Sequence, residues 1–270
     1  MKKINRVKKS QEFQELIHTG KKVTNHQYAL YYRPKKEEMN RIGIIGAMEE
    51  EVAMLKEQMK DVTVKEKAAM EFFHGTLNKK EVVVVRSGIG KVNAGICVQI
   101  LADDYQVDAV INTGIAGSLK AEINIGDIVL STDTMYHDMD ATEFGYPIGQ
   151  VPRMDVHAFP ADETLRKLAK TACEKVNPEI SVFEGRVVSG DQFVADKALK
   201  NQIIERTNGW CTEMEGTAVG QAAHLNKIPY LIIRAISDKA DDSAQVDYPT
   251  FEKQAILHSV KLVEELLLML

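Results

Sequence analysis

The 270-residue chain contains no apolar run close to the roughly 18 residues a membrane-spanning helix needs; the greasiest stretch, Leu262 to Leu270, is broken by Glu264 and Glu265. That excludes a transmembrane reading. Cysteine is scarce: Cys97, Cys173 and Cys211 are an odd number with no C-x-x-C spacing. Neither a disulfide framework nor a zinc site is suggested, and a reducing cytosol fits best. The positive residues at the start are not followed by an apolar core segment, so the chain does not open on a secretory signal. Internal repeats and low-complexity tracts are also missing. With 27% charged and 44% hydrophobic residues, the composition is that of a soluble globular protein.

Charge is unevenly spread. Residues 1–40 hold ten Lys and Arg against four Glu, a balance of +6, so that the net −5 of the whole chain leaves −11 for the other 230 residues. A basic arm joined to an acidic body is one pattern of a polyanion-binding protein. Within the arm, Ser10 can cap a short helix whose Phe13, Leu16 and Ile17 share a face, and Gly20 stops it. Tyr28 to Tyr32 reads as a strand and Pro34 to Asn40 as a polar linker. About 40 residues are too few for an independent core, so residues 1–40 read as an appendage to a domain spanning 41–270.

From Arg41 the pattern becomes strands alternating with helices. Ile42–Ile45 precedes a helix from about Met48, and Val82–Val85 one from about Ile89. Ala109–Asn112, Ile128–Ser131, Val182–Val188 and Tyr230–Arg234 read as further strands. Their continuous Val and Ile runs indicate a sheet covered on both faces by helices, parallel or mixed. Glycines gather at the expected strand ends: Gly46, Gly88, Gly90, Gly114, Gly117 and Gly190. Ligands of open α/β sheets sit at such ends, where glycine lets backbone approach them.

Four polar segments fall there: Gly46 to Val52, Asn112 to Gly117, Ser189 to Phe193, and Glu213 to Glu215 together with Arg234 to Asp238. Each is weak alone. Ser87 to Lys91 lacks the spacing of a P-loop or dinucleotide fingerprint and reads as a strand-to-helix turn. Glu49, Glu50 and Glu51 could equally be a helix first turn complementing the dipole. Asp238 is harder to dismiss, because a carboxyl at the tip of a buried strand tends to keep its proton and can serve as a general acid.

Taken in order, GIIGAMEEEV, SGIGKVNA, INTGIAG, YHDMDATEFGYPIGQVP, VSGDQF, EMEGTA and IIRAISD make residues 41–270 resemble the bacterial 5'-methylthioadenosine/S-adenosylhomocysteine nucleosidases of the purine nucleoside phosphorylase superfamily. The resemblance implies a three-layer α/β sandwich with a central mixed sheet flanked by helices, plus the short N-terminal helix–strand appendage. It implies hydrolysis of an N-ribosidic bond through a cationic, oxocarbenium-like transition state, a task for carboxylates. By position, Asp238 corresponds to the acid that protonates adenine N7, and Glu51 to the base that activates water. Glu215 matches the carboxylate that grips the ribose hydroxyls, with Met214 packed on the ribose and Glu213 and Arg234 beside it. Phe193 would stack on adenine, and the Val194 backbone would read its edge. Met48, Ile89 and Tyr248 would wall the 5' substituent, completed by Phe144 and Pro152 of a second subunit, so a homodimer with shared sites is implied.

No cofactor and no metal are implied. His137, Asp138 and Asp140 read as a loop near the dimer contact rather than as ligands, and His224 as a packed histidine. Two departures stand out. Tyr248 occupies a position where Phe is expected, its hydroxyl facing either a polar homocysteine tail or solvent. Ile115 replaces a Ser close to the water and ribose, which bears on the rate. Phosphorolytic relatives hold phosphate with an Arg and a Ser where this chain has Asn112 and Ile115, which disfavours phosphate as nucleophile. Open alternatives are phosphorolysis, hydrolysis of 5'-deoxyadenosine or a 6-amino-deoxyfutalosine-type substrate, and a non-catalytic RNA-associated role. The arm segments RVKKSQEFQEL, HTGKK and NHQYALY resemble the first helix and strand of the ribonuclease P protein component. That family would continue into an Arg-rich RNA-contacting helix that this chain lacks. The resemblance therefore speaks against specific RNA binding and leaves weak, salt-sensitive association through the arm. The implied setting is a cytoplasmic enzyme of methionine salvage.

Overall fold

The computed structural model describes residues 21–24, 29–32, 39–241 and 244–270. The chain divides into two units, Met1–Glu38 and Met39–Leu270, a boundary two residues before the one read from the sequence. In the first, β1 (Lys21–Thr24) and β2 (Ala29–Tyr32) pair antiparallel with Lys21 opposite Tyr32. The helix expected from Ser10 lies outside the described residues.

The second unit runs β3 (Arg41–Gly46), α1 (Glu49–Gln58), β4 (Lys60–Lys67), β5 (Met70–Leu77), β6 (Lys80–Arg86), α2 (Lys91–Asp103), β7 (Ala109–Ser118) and β8 (Ile128–Tyr136). After a 3-10 turn at Thr142–Phe144 come β9 (Phe159–Pro160), α3 (Glu163–Val176), β10 (Val182–Ser189), α4 (Lys197–Thr207), β11 (Cys211–Glu213), α5 (Gly216–Asn226), β12 (Tyr230–Asp238) and α6 (Ala244–Met269). One mixed sheet follows the order β11-β10-β8-β12-β7-β3-β6-β5-β4, with β9 added to β8. β11 pairs parallel with β10 and antiparallel with β7, so five strands close on one another.

Side chains alternate across the sheet and build three layers. Ile42, Ile44, Val82, Val84 and Ile111 pack with Val52 of α1, Leu165 of α3 and Leu262 of α6 on one face. Ile45, Val83, Val85 and Val110 pack with Val98 of α2 and Val219 of α5 on the other. Both faces are covered, as the unbroken Val/Ile runs require. Cys97, Cys173 and Cys211 are free and buried. Among the described residues no helix is long and apolar enough to cross a membrane.

Two of the differences from the sequence reading have a plain backbone cause. β7 does not end at Asn112 but continues to Ser118, because β12 pairs with it through Gly117 and β11 takes Gly117 and Ser118. Gly114 and Gly117 are thus strand residues. The β4–β5 hairpin was also not expected, and its turn shows why. Ala68 and Ala69 both carry positive φ (54° and 59°) between the paired Lys67 and Met70. This is the backbone of a two-residue hairpin turn without the Asn-Gly that normally announces one.

Candidate active site

The ends of β3, β7, β11 and β12 surround a cavity of about 270 Å³. Its wall includes Ala47, Met48 and Glu51 beyond β3, Ile89 beyond β6, Ile115 to Gly117 of β7, Phe193, Thr212 to Glu215, Ser237, Asp238 and Tyr248. A smaller recess adjoins it, bounded by Gln192, Phe193, Val194, Thr212, Met214 and Asp238.

Glu49, Glu50 and Glu51 do form the first turn of α1, but only the third points inward: Glu51 is 5% exposed. As the third helical residue it reaches back and accepts from the amides of Ala47 (2.6 Å) and Met48 (3.0 Å), half of a capping box. Its other oxygen accepts from Ile115 N at 3.2 Å. A Cβ at Gly114 would fall 2.5 Å from that oxygen, so glycine is what lets strand and carboxylate meet. Burial raises the Glu51 pKa, opposed by the Arg234 charge and the three amides.

Glu215 follows β11 and accepts from Gly90 N at 2.8 Å. Burial and then the neighbouring Glu213 charge push its pKa up to about 8. Glu213 accepts from Ser189 Oγ and from the amides of Glu215 (3.2 Å) and Gly216 (2.7 Å). Arg234 is 1% exposed and is paired with Glu213 and Asn112. It does not join the cavity wall itself but is held by Glu213, which does.

Asp238 owes its aim to a bulge. β12 pairs Ile236 with Ala116 and then Asp238 with Gly117, so one extra residue, Ser237, is inserted and both polar side chains reach the cavity. Ser237 Oγ donates to Oδ2 (2.8 Å) and Ala240 N to Oδ1 (2.7 Å). Burial raises the Asp238 pKa against these two donors.

The apolar part is Met48, Ile89, Ile115, Phe193 and Tyr248. Phe193 meets Tyr248 edge-on, ring centroids 5.9 Å apart. The Tyr248 hydroxyl donates to Glu252 Oε1 (3.0 Å), one turn along its own helix, and lies 3.4 Å from Met48 Sδ. Both groups belong to the protein, so the hydroxyl is held at the edge of the apolar wall. Phe144 and Pro152 do not line this cavity; Phe144 is 83% exposed. Among the described residues no group of three or more His, Cys, Asp or Glu is arranged to hold a metal. Sequence reasoning missed Thr212 and Ser237 as wall residues. Ser237 could have been found from its place beside Asp238, whereas Thr212 is drawn in only by the closure of β11 on β7.

A phosphorylase superfamily model matches residues 41–268, and a ribonuclease P model residues 1–49, the two overlapping over 41–49. A 5'-methylthioadenosine/S-adenosylhomocysteine nucleosidase of Staphylococcus haemolyticus is 40% identical over 230 residues, 84% of this chain and 98% of that protein. One from Halalkalibacterium halodurans is 43% identical over 226 residues, 83% and 96% of the two chains. The chain belongs to this nucleosidase family of the phosphorylase superfamily. Among solved structures, the Neisseria meningitidis nucleosidase in complex with methylthio-immucillin-A superposes with a TM-score of 0.83 at 37% identity, covering 86% of this chain and all of that one. The Colwellia psychrerythraea nucleosidase in complex with adenine gives 0.82 at 38%, covering 85% and 95%. A Helicobacter pylori futalosine hydrolase gives 0.81 at 30%, covering 86% and 99%. The family fold therefore extends over the whole second unit of the chain.

Proposed function

We infer that the chain hydrolyses the N-ribosidic bond of 5'-methylthioadenosine and S-adenosylhomocysteine, releasing adenine and the 5-substituted ribose. The observation that carries this reading is the convergence of three buried carboxylates, Glu51, Glu215 and Asp238, on one cavity walled by Phe193. Asp238, whose pKa burial raises, donates a proton to adenine N7 so that the base leaves neutral. Glu51, fixed by three amides, takes a proton from the attacking water. Glu215 holds the ribose hydroxyls with the oxygen that Gly90 leaves free, and Met214 packs on the sugar. Phe193 stacks on the base, worth about 1–3 kcal/mol, and Val194 closes the recess at its edge.

The wall carries no Lys, Arg or His among the described residues, and Arg234 is committed to Glu213 and Asn112. A phosphate nucleophile would find no cation there, which favours water. Adenine release from both thio-nucleosides should proceed in phosphate-free buffer; dependence on phosphate would replace the hydrolase with a phosphorylase. The 5' wall of Met48, Ile89 and Tyr248 is apolar, so 5'-deoxyadenosine is expected as a further substrate.

A homodimer completes the site. Ile89, Val92 (72% exposed) and Ile96 leave large apolar side chains in water at the cavity wall and along the start of α2. Clustered exposed apolar surface of this kind is what a subunit contact covers, and it would bring the partner's Phe144 and Pro152 to the 5' end. The buried free cysteines suit a reducing cytoplasm, and the two nucleosides suit a role in methionine salvage. Residues 1–40 are read as an appendage that contributes weak, salt-sensitive polyanion affinity and no specific RNA recognition.

A further inference from the structure

Two consecutive amides at the start of α2 hold carboxylates from distant parts of the chain. Gly90 N donates to Glu215 Oε1 at 2.8 Å, and Lys91 N to Asp191 Oδ1 at 2.9 Å. Gly90 adopts φ +98°, a conformation open to glycine, and a Cβ there would stand 3.2 Å from Asp191 Oδ1. The Lys91 ammonium lies 2.6 Å from Asp138 Oδ2 and 3.5 Å from Asp191 Oδ2. Asp138 Oδ2 also accepts from Asp191 N at 3.1 Å. Three segments that leave separate strands meet here: the turn after β6, the segment after β8, and the segment after β10 that carries Phe193. None of the three side chains lines the cavity, and the chemistry above does not use them.

We propose that Lys91, Asp138 and Asp191 are positioning residues: their network fixes the Gly90 amide against Glu215 and, through the same Asp191, sets the Phe193 segment against the base. The proposal rests on the nucleosidase reading. Glu215 is faced by Glu213 of its own segment, Glu51 of α1 and Arg234 of β12, besides the Gly90 amide. The amide favours the ionised carboxylate and occupies one oxygen, leaving the second for the ribose. A displacement of the α2 start would loosen this contact and move Phe193 at the same time. Misplacement by about 1 Å can cost on the order of 100-fold in rate. Partly exposed ion pairs such as these contribute little to stability by themselves, so a purely structural role and a positioning role predict different outcomes.

The test uses the full chain with methylthioadenosine and three variants, Asp191→Ala, Asp191→Asn and Lys91→Met. Asp191→Ala is expected to lower kcat/KM about 10- to 100-fold, chiefly through kcat. It should also move the acid limb of the kcat/KM profile to higher pH, because Glu215 without its amide donor ionises less readily. Asp191→Asn, whose amide oxygen still accepts from Lys91 N, should recover most of the loss, and Lys91→Met should fall between. An unchanged acid limb and kcat in Asp191→Ala would overturn the proposal, as would an Asp191→Asn as impaired as the alanine variant. Should Asp191→Ala not fold, Lys91→Met decides: a wild-type acid limb in that variant overturns the network. Wild-type turnover is read separately, since a wild type that releases no adenine refutes the nucleosidase reading rather than this one.

Discussion

Arg234 donates through both Nε and Nη2 to a single oxygen of Glu213, Oε2, which also accepts from the amides of Glu215 and Gly216. Arg234 is 1% exposed, and Glu213 stands between it and the cavity that Glu213 helps to line. Arg234→Met leaves Glu213 buried without its counter-charge and should destabilise the fold by about 3–5 kcal/mol, read by urea denaturation. Arg234→Lys should restore little, because an ammonium cannot reproduce the fork that reaches Glu213 and Asn112 together.

Asp238→Asn removes the transferable proton while keeping shape. Turnover should fall by about 10²–10⁴ with an adenosine-analogue inhibitor still bound; near-normal turnover would refute the acid assignment. In the wild type the protonated Asp238 is active, so the rate falls as pH rises through its upward-shifted pKa. Ionised Glu51 and Glu215 are both active, so the rate falls as pH drops through their raised values, that of Glu215 pushed up to about 8. A bell-shaped kcat/KM profile is expected, with the alkaline limb lost in Asp238→Asn.

Glu215 couples stability to pH. The folded chain keeps its proton up to about 8, whereas the ordinary carboxyl value is 4.5. Between those values the unfolded state has released a proton that the folded state still holds, so unfolding free energy declines as pH rises. Glu215→Gln should therefore raise Tm more at pH 8 than at pH 5 while impairing activity. An equal gain at both pH values would contradict the linkage.

Val92→Glu sets a charge in the exposed apolar patch at the start of α2. Sedimentation should show a shift from dimer to monomer, with KM for methylthioadenosine raised as the partner's contribution to the 5' wall is lost. A dimeric, fully active Val92→Glu protein would place the subunit contact elsewhere.

Deletion of residues 1–38 should leave Tm and nucleosidase activity unchanged. The second unit secures its own beginning: Asn40 and Arg41 amides donate to Asp108 Oδ2 (both 2.9 Å), and Arg41 Nε to Glu81 Oε1 (2.8 Å). A large loss of either property would show that the basic arm supports the enzyme.

The central strands and the carboxylates were readable because each left a local mark: apolar, mostly Val, Ile or Leu segments for β3, β6 and β12, and an Asp at the tip of one of them. What escaped depended on backbone conformation or on distant pairing. The Ala68-Ala69 turn adopts a glycine-like geometry with ordinary residues. Thr212 reaches the cavity through a strand of three residues that pairs with Gly117 and Ser118, far away in sequence. Arg234 looks like a ligand-facing cation in IIRAISD, yet alternation and the Glu213 charge turn it to the back of the wall.

The closure of β11 between β10 and β7 also governs how molecules enter and leave. Cys211 and Thr212 are tied to neighbours on both sides, so the sheet-borne wall cannot part to release adenine without breaking its ladder. Glu213 and Asp238 are thus carried by laddered strands, whereas Ile89 and Phe193 stand on turns between elements and Tyr248 on α6.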